Sequence, residues 1–194
     1  MGGNTGNGGG RRGSRWRIAS WAAAALILLL PLVAMQFTDE VNWDVADFAL
    51  FGALLIGVGV SYELAVRTTG DNAYRAAVGV ALAAAFILVW VNGAVGIVGS
   101  EDNPANLMYG GVLAVGIIGA IIARFKPHGM ARALFATALA QALVAVIALI
   151  AGLGSSWSGP LEIVVLNGFF VALFVGSGLL FQKAARGRPE RVAV

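Results

Sequence analysis

The chain has 194 residues, 59% of them hydrophobic and only 12% charged, with a mean hydropathy of +0.83. About a quarter of a soluble domain is charged, so this composition excludes an ordinary water-soluble fold. The total absence of cysteine also removes disulfides, thiolate metal sites and a cysteine nucleophile. The net charge of +3 and the pI near 9.8 are no sign of nucleic-acid binding, because the basic residues are placed as topology signals.

Residues 1–17 (MGGNTGNGGGRRGSRWR) are glycine-rich and basic and read as a cytoplasmic tail without fixed structure. The apolar run Ile18–Phe37 is longer than a signal-peptide core and no small-x-small cleavage site closes it. It is expected to be a retained first span, kinked at Pro31. Further apolar runs predict spans over 45–66, 76–98, 104–125, 131–152 and 160–182, each about long enough to cross a hydrocarbon core of roughly 30 Å. No run alternates apolar and polar residues as a β-barrel strand would. The expectation is an all-α polytopic membrane protein: six transmembrane helices in one domain over 18–182, with a second basic cytoplasmic tail at 183–194. Short connections make consecutive helices antiparallel neighbours.

Charge then sets the orientation. Arg11, Arg12, Arg15 and Arg17, Arg67 and Arg75, Arg124, Lys126 and Arg132, and Lys183, Arg186, Arg188 and Arg191 are all 13 basic residues, and in this threading all fall on one side. Asp39, Glu40, Asp44, Glu101 and Asp102 fall on the other, which carries no Lys or Arg. The positive-inside bias predicts both termini in the cytoplasm. Trp16 and Trp21 suit the inner interfacial belt, and Trp43, Tyr109 and Trp157 the outer one. Asp47 and Glu162 sit in the first turns of spans two and six, where orphan N–H groups and the helix dipole favour an acid.

The loop GSEDNPANLMYGG (99–111) contains Asn103-Pro104-Ala105, a tripeptide that calls a water channel to mind. Such channels need two of these motifs capping half-helices that meet inside the membrane. This chain has one, directly after Glu101 and Asp102, which mid-membrane burial would penalise heavily. The simpler reading makes Asn103 the N-cap of span four and Pro104 its first helical residue.

Few polar residues lie within the spans, and these are the candidate ligand-binding residues. Glu63 in GVSYELAVR is either a proton or cation site or one half of an i,i+4 pair with Arg67. Its shallow position favours the pair. Asn92 (VWVNGAVG) and Asn167 (VVLNGFFV) fall at equal depth, so they are expected to hydrogen-bond across helices, or else to line a polar pocket beside Trp90. Gln141 in span five is a lone amide suited to a helix-to-helix contact. Gly110, Gly111, Gly116 and Gly119 in span four, and the alanines of span five, let helices approach closely, within one chain or between copies.

Several chemistries are excluded by inventory. The single histidine, His128, lies in a loop across the membrane from the serines of GSSWSG (154–159), so neither a bis-histidine haem nor a Ser-His hydrolase is available. Lys126 and Lys183 lie at the surface, which removes a buried Schiff-base lysine. The zinc-protease pattern HExxH is absent. The stretch GSEDNPANLMYGGVLAVGIIGAIIARFKPHGMARALFATALAQ resembles a group of small bacterial inner-membrane proteins with no assigned activity. The resemblance covers spans three to five and implies a location in the bacterial inner membrane but no mechanism. The expected function is that of a non-enzymatic subunit or accessory protein within the lipid bilayer, with no cofactor and no nucleic acid, associating with another membrane protein or with itself. The alternative is a small-solute or proton-coupled transporter or channel using Glu63, Asn92, Gln141 and Asn167.

Overall fold

In the computed structural model, which describes residues 8–38, 42–100, 102–153 and 159–187, the chain is helical and no strand occurs among the described residues. The helices are α1 (Gly8–Ala34), α2 (Val45–Thr68), α3 (Asn72–Ala94), α4 (Met108–Ile122, entered through a 3-10 turn at Pro104–Leu107), α5 (Pro127–Ile150) and α6 (Pro160–Arg186). Five segments, α2, α3, Pro104–Ile122, α5 and α6, are long and apolar enough to cross a membrane. The apolar part of α1, Trp21–Ala34, is shorter. This is the build of a multi-pass membrane protein. The expectations for Asp39, Glu40, Glu101, Trp157, Arg188, Arg191 and the loop serines lie outside the described residues.

Capping chemistry displaces the helix ends from the apolar runs. α3 begins four residues before its run, because Asp71 accepts from the N–H groups of Ala73 (2.8 Å) and Tyr74 (3.2 Å). α5 begins at Pro127, which takes the first helical position as Pro160 does in α6. α4 stops at Ile122 rather than 125, because Arg124 and Phe125 turn to φ +48° and +56° and Phe125 N–H closes back on Ala120 O (3.3 Å). α1 starts at Gly8, so the basic residues 8–17, read as tail, continue the helix. Extending an existing helix costs far less than starting one. The start of α2 is the reciprocal cap expected from its acids: Asp44 Oδ1 accepts from Asp47 N–H (2.9 Å), and Asp47 Oδ2 accepts from Asp44 N–H (2.9 Å). Glu162 lies in the first turn of α6 but its side chain makes no such cap.

The chain divides into two compact units, residues 1–60 and 61–194. In the first, α1 and the start of α2 pack antiparallel through glycines. A Cβ on Gly59 would stand 3.0 Å from the Trp21 ring, and one on Gly52 would stand 3.8 Å from Leu28. Pro31 lies inside α1, and Trp43 meets Phe48 and Phe51 edge-on.

In the second unit, α5 packs against α4 and α6, and α3 against α6. Among the buried residues of α6, Ile163, Asn167, Phe170, Phe174, Ser177, Phe181 and Ala184 recur at three or four and form one stripe, with Gly178 buried beside Ser177. Small residues set the spacing. Gly116 and Gly119 on α4 face Thr137 and Ala133 on α5, and Gly178 on α6 lies under the Phe135 ring. At one end of the unit Tyr74 stacks edge-on against Phe181 (5.1 Å) and donates to Phe125 O (2.8 Å). Ser177 donates to Ala77 O (2.8 Å) on the same side. At the opposite end Asn103 Nδ2 reaches Leu153 O (3.4 Å). These contacts make α3 to α6 alternate in direction.

Candidate functional site

The polar interior of the second unit is built around one amide. Asn167, seven residues into α6, is 1% exposed. Its Oδ1 accepts from Gln141 Nε2 of α5 (2.9 Å) and from the hydroxyl of Tyr109 of α4 (3.1 Å), and its Nδ2 donates to Ile163 O one turn back (2.8 Å). Three helices therefore meet on a single oxygen. Burial of Gln141 (0%) and Tyr109 (1%) is as complete as that of Asn167, so the cluster opens onto no exposed surface. Each bond offsets the desolvation of its partners, and interhelical bonds of this kind stabilise a membrane bundle by roughly 0.6–2 kcal/mol each.

Asn92 and Asn167 do not pair. Asn92 Nδ2 donates instead to the backbone oxygen of Asn106 (3.3 Å). The expected bond fails because α3 ends at Ala94 rather than 98, which places Asn92 at the helix mouth beside the turn that opens α4. Trp90 is half-buried on α3 and takes no part in the hydrogen bonds of Asn167 and Gln141. Glu63 stands apart from these residues as an i,i+4 pair: Arg67 Nη2 donates to its Oε1 at 2.8 Å, with Arg67 60% and Glu63 21% exposed. Of the five candidates, hydrogen bonding joins Gln141 to Asn167.

Two residues that hold this region together were not among the candidates. Tyr109, expected in an interfacial belt, is buried because its hydroxyl has a partner in Asn167. Asn106 organises the residues between α3 and α4. Its Oδ1 accepts from the N–H groups of Ile97 (3.2 Å) and Val98 (3.0 Å), and its Nδ2 donates to Ser100 O (2.7 Å). With Gly96 and Gly99 at φ +72° and +76°, this folds Ile97 and Val98 inward until they are 1% and 0% exposed. Asn103 caps the following turn as expected, its Oδ1 accepting from Ala105 N–H (3.0 Å), with Pro104 in the first position. The second Asn of NPAN was the available signal, since a buried loop needs a side chain to take up its backbone donors.

Among the described residues, two buried amide oxygens accept no hydrogen bond, Gln141 Oε1 and Asn92 Oδ1. No group of three or more His, Asp or Glu side chains among them is placed to hold a metal ion. Chemically the site is an assembly of neutral amides and a phenol, suited to hydrogen bonding between helices. No family model, curated protein or solved structure matches the chain.

Proposed function

We propose that this chain is a six-span protein of the bacterial inner membrane, with both termini in the cytoplasm, acting as a non-enzymatic accessory subunit of a membrane assembly. The observation that carries the functional part is the use to which the interior polar groups are put. The side-chain hydrogen bonds of Tyr109 and Gln141 both end on Asn167 Oδ1, and all three residues are at most 1% exposed. Asn92 holds a loop, and Glu63 pairs with Arg67 near the end of α2. A translocation path would need such groups to face a passage rather than each other. The orientation rests on charge: Arg75, Arg124, Lys126, Lys183 and Arg186 gather at the Tyr74–Phe181 end of the second unit, while Asp102 lies at the Asn103 end.

The test is the native mass of the full chain extracted in mild detergent, together with solute and proton flux after reconstitution. A second polypeptide in fixed stoichiometry, with no flux from the chain alone, is the expected result. A flux through the purified chain that Gln141→Leu abolishes would establish the transporter reading instead.

A further inference from the structure

Gln141 uses its amide on one side only. Nε2 donates to Asn167, while Oε1, on a residue with 0% exposure, accepts no hydrogen bond among the described residues. Reversing the amide gives no relief. It would set Oε1 against Asn167 Oδ1, two acceptors face to face, and surrender the bond that Nε2 now makes. Buried polar atoms in native proteins are nearly always paired, with protein or with ordered water.

A second acceptor stands beside the first. The Tyr109 hydroxyl donates to Asn167 Oδ1 and accepts no hydrogen bond among the described residues. Tyr109 Oη and Gln141 Nε2 both touch that one oxygen, at 3.1 and 2.9 Å, so the phenol and the Gln141 amide are neighbours around Asn167 Oδ1. One helical turn away on the same faces lie Val112, Val144 and Phe170, all buried and apolar. α4 carries no charged residue, and the charged residues of α5 and α6 (Arg132, Glu162, Lys183 and Arg186) are confined to the first two or last two turns of their helices. A cation would have no carboxylate to neutralise it there, and an anion would meet two acceptors. The group that fits is neutral, small and a double donor.

We infer that the junction of Tyr109, Gln141 and Asn167 holds one ordered water, donating to Gln141 Oε1 and to Tyr109 Oη. Two to four polar partners are what a buried water ordinarily has. It completes the hydrogen bonding where α4, α5 and α6 meet and thereby fixes their register. The inference is independent of any partner, because it concerns the interior of the chain alone.

A crystal structure of the full chain from a lipid mesophase, at a resolution that shows ordered water, should place a density peak about 2.8 Å from both oxygens. A well-ordered Gln141 with no such peak overturns the inference, as does an Oε1 that accepts a protein N–H. Infrared spectra of hydrated membranes supply a second reading. The wild-type chain should show an isolated water O–D stretch that moves in heavy-oxygen water, lost in Gln141→Met and displaced in Tyr109→Phe. A spectrum identical in all three proteins refutes the site.

Discussion

Asn103 and Asn106 are three residues apart and carry different loads. Asn103 supplies one acceptor to a half-buried first turn, so Asn103→Ala should destabilise the protein by about 1 kcal/mol, as loss of an N-cap does. Asn106 supplies an acceptor to two buried N–H groups and a donor to Ser100 O, so Asn106→Ala should cost more, about 2–3 kcal/mol, through stranded backbone donors. Reversible unfolding in mixed micelles ranks the two variants, and equal or inverted costs would refute the roles assigned here. Asn103 was legible in the sequence because an Asn-Pro cap is a local signature, complete within three residues. Asn106 was not, because its partners lie eight and nine residues upstream and are met only once the loop has folded inward. Glu63 presents a third case, where a spacing of four suffices to foresee the pair with Arg67. Since Arg67 is 60% exposed, Glu63→Gln should lower stability by less than about 1 kcal/mol, and a thermal melt in detergent measures it. A proton flux abolished by the same change would give the carboxylate a role beyond pairing.

Among the elements, the sequence located every helix of the second unit but misplaced several ends. Apolar runs report which residues prefer lipid or core, whereas ends are set by caps such as Asp71, Pro127 and the paired left-handed residues Arg124 and Phe125. Gln141 and Asn167 were both visible as in-span amides, yet their meeting depends on the register between α5 and α6, which single-helix periodicity does not contain. Close packing at glycines governs how near the helices come, and the four glycines of α4 are not equivalent. A Cβ on Gly119 would stand 2.7 Å from Ala133 Cβ, while one on Gly110 or Gly111 meets nothing within 4 Å. Gly119→Val should therefore push α4 from α5 at a cost of about 1–3 kcal/mol, as overpacking does. Gly110→Ala should be neutral or slightly stabilising, since it only removes a helix-interior glycine. Melting temperatures in one detergent compare the two. A Gly119→Val protein as stable as the parent would show that this contact does not set the helix spacing.

For the whole molecule, orientation is a statement about charge that the fold of the second unit now sharpens. Tyr74 bound to Phe125 and stacked on Phe181 marks one end, and Asn103 bound to Leu153 marks the other. The basic residues Arg75, Arg124, Lys126 and Lys183 cluster at the first end. Moving such a set across a bilayer during insertion is far costlier than leaving it behind, which is the origin of the positive-inside bias. The first end is therefore expected in the cytoplasm, and the second, with Asp102 and the NPAN turn, outside. Absence of cysteine makes the test direct, because single cysteines can be introduced without removing any. Asp102→Cys lies on an exposed residue at the outer end and should react with an impermeant thiol reagent added to intact cells. His128→Cys and Gly70→Cys, both exposed at the other end, should react only after the membrane is opened. Gly70 serves better than its neighbour Asp71, whose side chain caps α3 and whose loss would confuse topology with folding. The number of spans is tested by the same reagent at Glu40→Cys. In the proposed six-span threading this position and Asp102 are both outside and the amino terminus is inside. Labelling of Asp102→Cys and Glu40→Cys from outside, with an amino-terminal tag accessible only after permeabilisation, is the expected pattern. Outside access to the tag in the same cells would mean that α1 does not cross, and labelling of Gly70→Cys from outside would invert the whole arrangement.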